Sequence, residues 1–206
     1  RSTLDRSSAA SDVYKRQIQG ENAIAIDKKK ASKGIKKNAK VDKKQEIDKA
    51  VINSKDTVHY ILILDDSGSM DGKPWNELKA ATSEFITSLA NTKAAASSKV
   101  SCGVYSQVAR TVFEEESPAA KLNNKIKYEC GGKNYGAALS AAEEICDRTH
   151  DKCSKFVFYF MSDGQDSHPT NEIKSLKSKS YFSKIQFFAC GFGRCTFTVL
   201  AGLAMS

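Results

Sequence analysis

Tyr60-Ile61-Leu62-Ile63-Leu64 runs directly into Asp65-Asp66-Ser67-Gly68-Ser69-Met70, so a buried apolar strand ends in a carboxylate and two hydroxyls. The carboxyl end of such a strand is where an open α/β sheet holds a ligand. Asp65, Ser67 and Ser69 alternate with one residue between them, and Gly68 lets the chain turn sharply. Three hard oxygens can therefore converge on one point above the sheet edge. Such a set suits a hard divalent cation, Mg²⁺ first, with Mn²⁺ and Ca²⁺ as rivals. The same residues allow a plainer arrangement, in which Ser67 and Ser69 cap the following helix and Asp65 accepts backbone N–H bonds.

Two further blocks extend the pattern. Phe156-Val157-Phe158-Tyr159-Phe160-Met161-Ser162-Asp163-Gly164 is a second apolar run with an Asp at its tip, and Gly131-Gly132-Lys133-Asn134-Tyr135-Gly136-Ala137-Ala138-Leu139 reads as a loop opening a helix. In order, spacing and strand context the three blocks resemble the von Willebrand factor type A (vWA) domain family and its metal-ion-dependent adhesion site, over residues 56 to 206. The resemblance implies an α/β, Rossmann-like, doubly wound fold: a mostly parallel sheet with one antiparallel edge strand and helices on both faces. It also implies a metal held by Asp65, Ser67, Ser69 and Asp163, with a coordination position left for the Asp or Glu of a protein partner. Asp66, Met70, Tyr135 and Gln165 are expected as the exposed rim around it. Asp166, three residues past Asp163, reads as a solvated loop acid.

Lys133 departs from the family pattern, which has Thr there. An ammonium about 6 Å from a divalent cation, at an effective dielectric of about 20, is repelled by about 5 kcal/mol. That exceeds the ~1 to 3 kcal/mol of a lost hydroxyl partner. Either Lys133 swings into solvent and a water takes the Thr position, or its ammonium pairs with Asp65 and Asp163 and replaces the metal.

The remaining pattern alternates apolar runs with amphipathic segments, as helices on both faces of a sheet require. Pro74 opens a helix with Leu78, Ala81, Phe85 and Leu89 on one face. Lys99 to Ser106 and Val108 to Phe113 read as a strand pair, the second being the antiparallel edge with Glu114-Glu115-Glu116 at its exposed end. Tyr135 to Arg148 and Thr170 to Lys179 read as helices, Ile185 to Cys190 as a buried fifth strand, and Thr196 to Met205 as one more helix. The resembled family has a further strand and helix, so the sheet is expected to lack an edge within this stretch.

Charge divides the chain. Residues 1 to 54 hold 14 Lys/Arg and 7 Asp/Glu, whereas residues 55 to 206 hold 18 and 17. Residues 18 to 54 therefore read as a Lys-rich linker, and 55 to 206 as the vWA domain. Lys28 to Lys44 has no interleaved aromatics, Arg cluster or amphipathic period, so nucleic acid is not an expected partner. Ser7-Ser8-Ala9-Ala10-Ser11-Asp12-Val13-Tyr14-Lys15-Arg16-Gln17 resembles a translated sequencing-library adaptor, and residues 1 to 17 are set aside from fold reasoning. No run of 18 apolar residues marks a membrane span.

The six cysteines form no Cys-x-x-Cys pair and no zinc spacing, and no glycosylation sequon occurs. Both features point to reduced thiols and a cytoplasmic setting. His59 reads as structural, and His168 as a loop residue facing water. No Ser or Cys nucleophile stands in a recognisable order with a base, so the expectation is a binding module rather than an enzyme. The rival is an aspartyl-phosphate phosphatase or phosphotransferase, with Asp65 as nucleophile, Lys133 on the phosphoryl oxygens and Asp163 or Asp166 holding Mg²⁺. Haloacid-dehalogenase-like phosphatases carry a second Asp two residues after the nucleophile, where this chain has Ser67.

Overall fold

A computed structural model describes residues 57–120, 122–164, 166–192 and 198–204. Residues 1–17 and 18–54, Gln165 and Cys195 lie outside the described residues. In chain order the elements are β1 (Val58–Asp65), α1 (Lys73–Ala90), β2 (Ser98–Tyr105), β3 (Ala109–Glu116), α2 (Tyr135–Thr149), β4 (Lys155–Ser162), α3 (Thr170–Ser178), β5 (Ile185–Gly191) and α4 (Thr198–Ala204). The strands form one sheet in the order β3-β2-β1-β4-β5. All neighbours run parallel except β2 and β3.

β1 is apolar on both faces because it lies at the sheet centre, between β2 and β4. Ile61 and Ile63 face a core shared with Ala138, Leu139, Ala142 and Ile145 of α2. Leu62 and Leu64 face the opposite core, with Trp75, Leu78, Ile86 and Leu89 of α1. A parallel sheet covered on both sides needs such continuous apolar strands. The buried stripe of α1 is Trp75, Leu78, Thr82, Ile86 and Leu89. Ala81 and Phe85, expected on that stripe, are half-buried at its side.

The β3 edge is protected. Its register with β2 shifts at two places between Val100 and Gly103. Glu114 pairs with Arg148 at 2.8 Å, Glu115 with Lys152 at 2.9 Å and Glu116 with Lys125 at 2.9 Å. Bulges and charges of this kind keep an edge from pairing with another chain. The opposite edge, β5, is half-buried rather than buried as expected. Among the described residues no strand pairs with its outer side.

His59 is structural, as its place at the start of β1 implies. It is 1% exposed, with Nε2 2.7 Å from Ser101 Oγ and Nδ1 3.2 Å from Thr149 Oγ1. Cys102, Cys130, Cys146, Cys153 and Cys190 carry free thiols. Among the described residues no helix is long and apolar enough to cross a membrane.

Candidate cation site at the carboxyl end of the sheet

With β1 between β2 and β4, the chain leaves β1 in one direction and returns on its other side, which makes the carboxyl end of β1 a topological switch point. Asp65 ends β1, and Asp163 follows the last residue of β4, so the two acids meet there. Asp65 is wholly buried. Its Oδ1 accepts the Ser67 N–H at 2.9 Å, and its Oδ2 accepts the Ser162 hydroxyl at 2.6 Å. Having spent its one proton on Asp65, Ser162 Oγ accepts from Tyr135 Oη at 2.8 Å and from the Gly164 N–H at 3.2 Å. Burial pushes the Tyr135 phenol well above its ordinary range, so it stays a protonated donor. Asp65 is thus oriented from below by a Tyr135–Ser162 relay.

From above, the same oxygen meets a cation. Lys133 Nζ lies 3.0 Å from Asp65 Oδ2 and also bonds Asp163 Oδ1. The Lys133 side chain is 10% exposed. Its backbone is fixed on both sides. A Cβ on Gly131 would stand 2.7 Å from Ser106 Oγ, and one on Gly132 would strike Gln107 Oε1. At Gly131, where an added Cβ would also stand 2.9 Å from Ser106 Cβ, only glycine lets the chain pass this close to the β2–β3 turn. On the other side, Asn134 caps α2, its Oδ1 accepting the Ala137 N–H at 3.0 Å. Asp166 Oδ2 accepts the Tyr135 N–H at 2.6 Å. Asp166 is therefore a tether of the α2 start rather than a freely solvated acid.

The strap leading to Lys133 is tied to the Asp65–Ser69 loop. Gly68 donates its N–H to the Gly131 carbonyl at 2.9 Å, and the Tyr128 hydroxyl donates to the Ser67 carbonyl at 3.1 Å. A second ion pair stands behind them. Arg110 Nη2 lies 2.7 Å from Asp66 Oδ2 and 3.0 Å from the Lys127 carbonyl, while Nε lies 3.2 Å from Glu129 Oε1. Asp66 Oδ1 is buried without a partner.

These positions correct part of the expected rim. Asp66, Met70 and Tyr135 are all 0% exposed. Asp66 turns inward to Arg110, Met70 packs with Leu64 and Trp75, and Tyr135 lies beneath Asp65. Gln165 lies outside the described residues. The exposed surroundings are instead Ser69, Gln107, Val108, Glu129, Cys130 and Gly132. Ser67 is buried, and its hydroxyl lies 3.2 Å from that of the exposed Ser69. Neither hydroxyl caps the short helical turn that follows. His168 is exposed and pairs locally with Thr170 Oγ1 at 3.1 Å. Sequence reading missed Ser162, Arg110 and Tyr128. Ser162 left a trace, as a hydroxyl inside an apolar run next to Asp163; the other two left none.

The profile of the von Willebrand factor type A domain matches residues 61–205. The chain belongs to the vWA domain family. Solved vWA-fold structures resemble it in shape. Proximal thread matrix protein 1 from the mussel byssus, described with a zinc-occupied MIDAS motif, superposes with a TM-score of 0.57 at 16% identity, covering 76% of this chain and 41% of that one. A von Willebrand factor type A protein from Catenulispora acidiphila gives a TM-score of 0.50 at 19% identity, covering 64% of this chain and 32% of its own. This chain thus spans less than half the length of either. At these identities the likeness concerns the fold. Among curated proteins no sequence match was found.

A vWA site implies a divalent cation, and the residues fit one only in part. Asp65 and Asp163 meet through Lys133, and the Ser67 and Ser69 hydroxyls lie together on the adjoining loop; all four are hard oxygen donors. Among the described residues no three His, Cys, Asp or Glu side chains form a metal-binding group. The ammonium does not fit. A cation about 2 Å from Asp65 Oδ2 would lie within about 5 Å of Lys133 Nζ, a repulsion of about 7 kcal/mol at an effective dielectric of about 20. Lys133 where it stands and a divalent cation on Asp65 exclude each other.

Proposed function

We propose that this chain is a protein-recognition module that docks its partner at the carboxyl end of the sheet and performs no catalysis. The observation that carries the reading is the meeting of Asp65, Lys133 and Asp163 at the ends of β1 and β4, beside the Ser67–Ser69 loop and among exposed residues. Val108, 68% exposed, is the one large apolar side chain exposed among the described residues, and it sits on the turn that Gly131 and Gly132 pack against. The MIDAS motif named for the mussel protein supports the same location.

Metal-bridged capture of a partner's Asp or Glu is the finer form of this reading, and it requires a cation on Asp65, Ser67, Ser69 and Asp163 with Lys133 withdrawn. Recognition without a bridging metal is what the Lys133 contacts favour. The phosphotransfer reading has less support, because both Asp65 oxygens are already held, by Ser67 N, Ser162 Oγ and Lys133 Nζ. A nucleophile needs a free lone pair aimed at substrate.

The test is capture of a binding partner by the full chain, repeated with Val108→Arg and Gln107→Arg at the collar and Lys152→Glu at the opposite end of the sheet. Loss of the same partner in both collar variants, with retention in Lys152→Glu, is the expected result. Turnover of p-nitrophenyl phosphate with Mg²⁺ that disappears in Asp65→Asn contradicts it.

A further inference from the structure

We infer that the Lys133 ammonium is a built-in substitute for the divalent cation, so that this centre works without metal and presents no vacancy to a partner's carboxylate. The inference rests on reading this end of the sheet as the docking surface and says how its centre is charged. Lys133 Nζ contacts the same two carboxylates, Asp65 and Asp163, that a cation would bridge. Three features make this a fixed arrangement rather than a passing contact. The Lys133 side chain is 10% exposed, Gly131 before it lies close against Ser106, and the residue after it caps α2. With its backbone held on both sides, Lys133 has only side-chain freedom left to lose when it pairs.

The charge count carries the functional consequence. A divalent cation on two carboxylates leaves a neutral centre with Lewis acidity to offer, and a partner carboxylate completes its shell. One ammonium on two carboxylates leaves a net negative charge and spends two of its three N–H groups internally. A partner acid is then repelled rather than gathered. Lys133 also reaches both acids without disturbing Ser67 and Ser69, whose hydroxyls remain near each other. The two carboxylates are thus capped by an ammonium beside the Ser67–Ser69 hydroxyl pair, and removing that ammonium leaves a latent cation site.

The experiment is Mn²⁺ and Mg²⁺ titration of the full chain by calorimetry and thermal shift, beside Lys133→Thr, Lys133→Gln and Lys133→Thr/Asp65→Ala. The unmodified chain is expected to bind neither cation at this centre. Lys133→Thr is expected to bind at least about 100-fold more tightly, as removal of a like charge at this range implies, and the double variant to lose that gain. If Lys133→Thr folds only when cation is present, the cation requirement is itself the expected result, and Lys133→Gln supplies a neutral side chain of similar length for comparison. Cation binding by the unmodified chain as tight as that of Lys133→Thr overturns the inference. So does a folded Lys133→Thr that binds no better than the parent. Neither outcome involves a partner, so the docking reading stands or falls separately on the collar variants.

Discussion

Lys133 Nζ and Asp65 Oδ2 lie 3.0 Å apart, and Asp65 is wholly buried. Removing one member of a buried charge pair leaves the other uncompensated, which typically costs about 3 to 5 kcal/mol. Lys133→Met is therefore expected to lower stability by about that amount at neutral pH. Urea denaturation at pH 7 measures the loss.

Arg110 compensates Asp66 in the same way and holds Glu129 and the Lys127 carbonyl besides. Arg110→Met should cost about 3 to 5 kcal/mol. Arg110→Lys keeps the charge but not the fork that reaches three acceptors, so an intermediate loss is expected. Hydrogen exchange should show residues 127–132 opening first in both variants.

Two buried tyrosines should respond oppositely to loss of their hydroxyls. Tyr135 Oη donates to Ser162 at 2.8 Å, whereas Tyr105 Oη is buried without a partner. Tyr135→Phe leaves Ser162 Oγ short of a donor and should cost about 1 to 2 kcal/mol. Tyr105→Phe removes a desolvated, unpaired hydroxyl and should be neutral or stabilising. Thermal denaturation of the two variants decides the matter; equal losses contradict the hydrogen-bond assignment.

His59 makes stability depend on pH. Burial, the largest cause, lowers its pKa from 6.5 to about 4. Above pH 6.5 both folded and unfolded states hold neutral His59 and nothing is lost. Between pH 6.5 and about 4 the unfolded chain takes up a proton that the folded chain refuses, so stability falls, by about 3 kcal/mol in all. His59→Gln should flatten that part of the urea midpoint against pH, relative to the parent.

The sequence showed the site's donors more clearly than its surroundings. Apolar runs ending in Asp65 and Asp163 located two parallel strands and the acids at their tips, because hydrophobic pattern and strand ends are local properties. The Lys133 alternatives could not be separated from sequence. What fixes them is the approach of Gly131 and Gly132 to Ser106 and Gln107, a contact between segments about 25 residues apart in sequence. The rim was misjudged for a similar reason. Asp66 is polar and adjoins the site in sequence, but Arg110, 44 positions away, draws it inward. Tyr135 opens a helix beside the site, yet Ser162 takes its hydroxyl below Asp65. β5 is half-buried because it is the last strand of the described sheet, a position its own apolar residues do not encode.

The most direct test is a crystal of the full chain grown or soaked in Mn²⁺, with anomalous diffraction recorded at the manganese edge. Lys133 Nζ between Asp65 and Asp163, with no anomalous peak at that point, is the expected result. An anomalous peak among Asp65, Ser67, Ser69 and Asp163, with the Lys133 side chain turned to solvent, contradicts it.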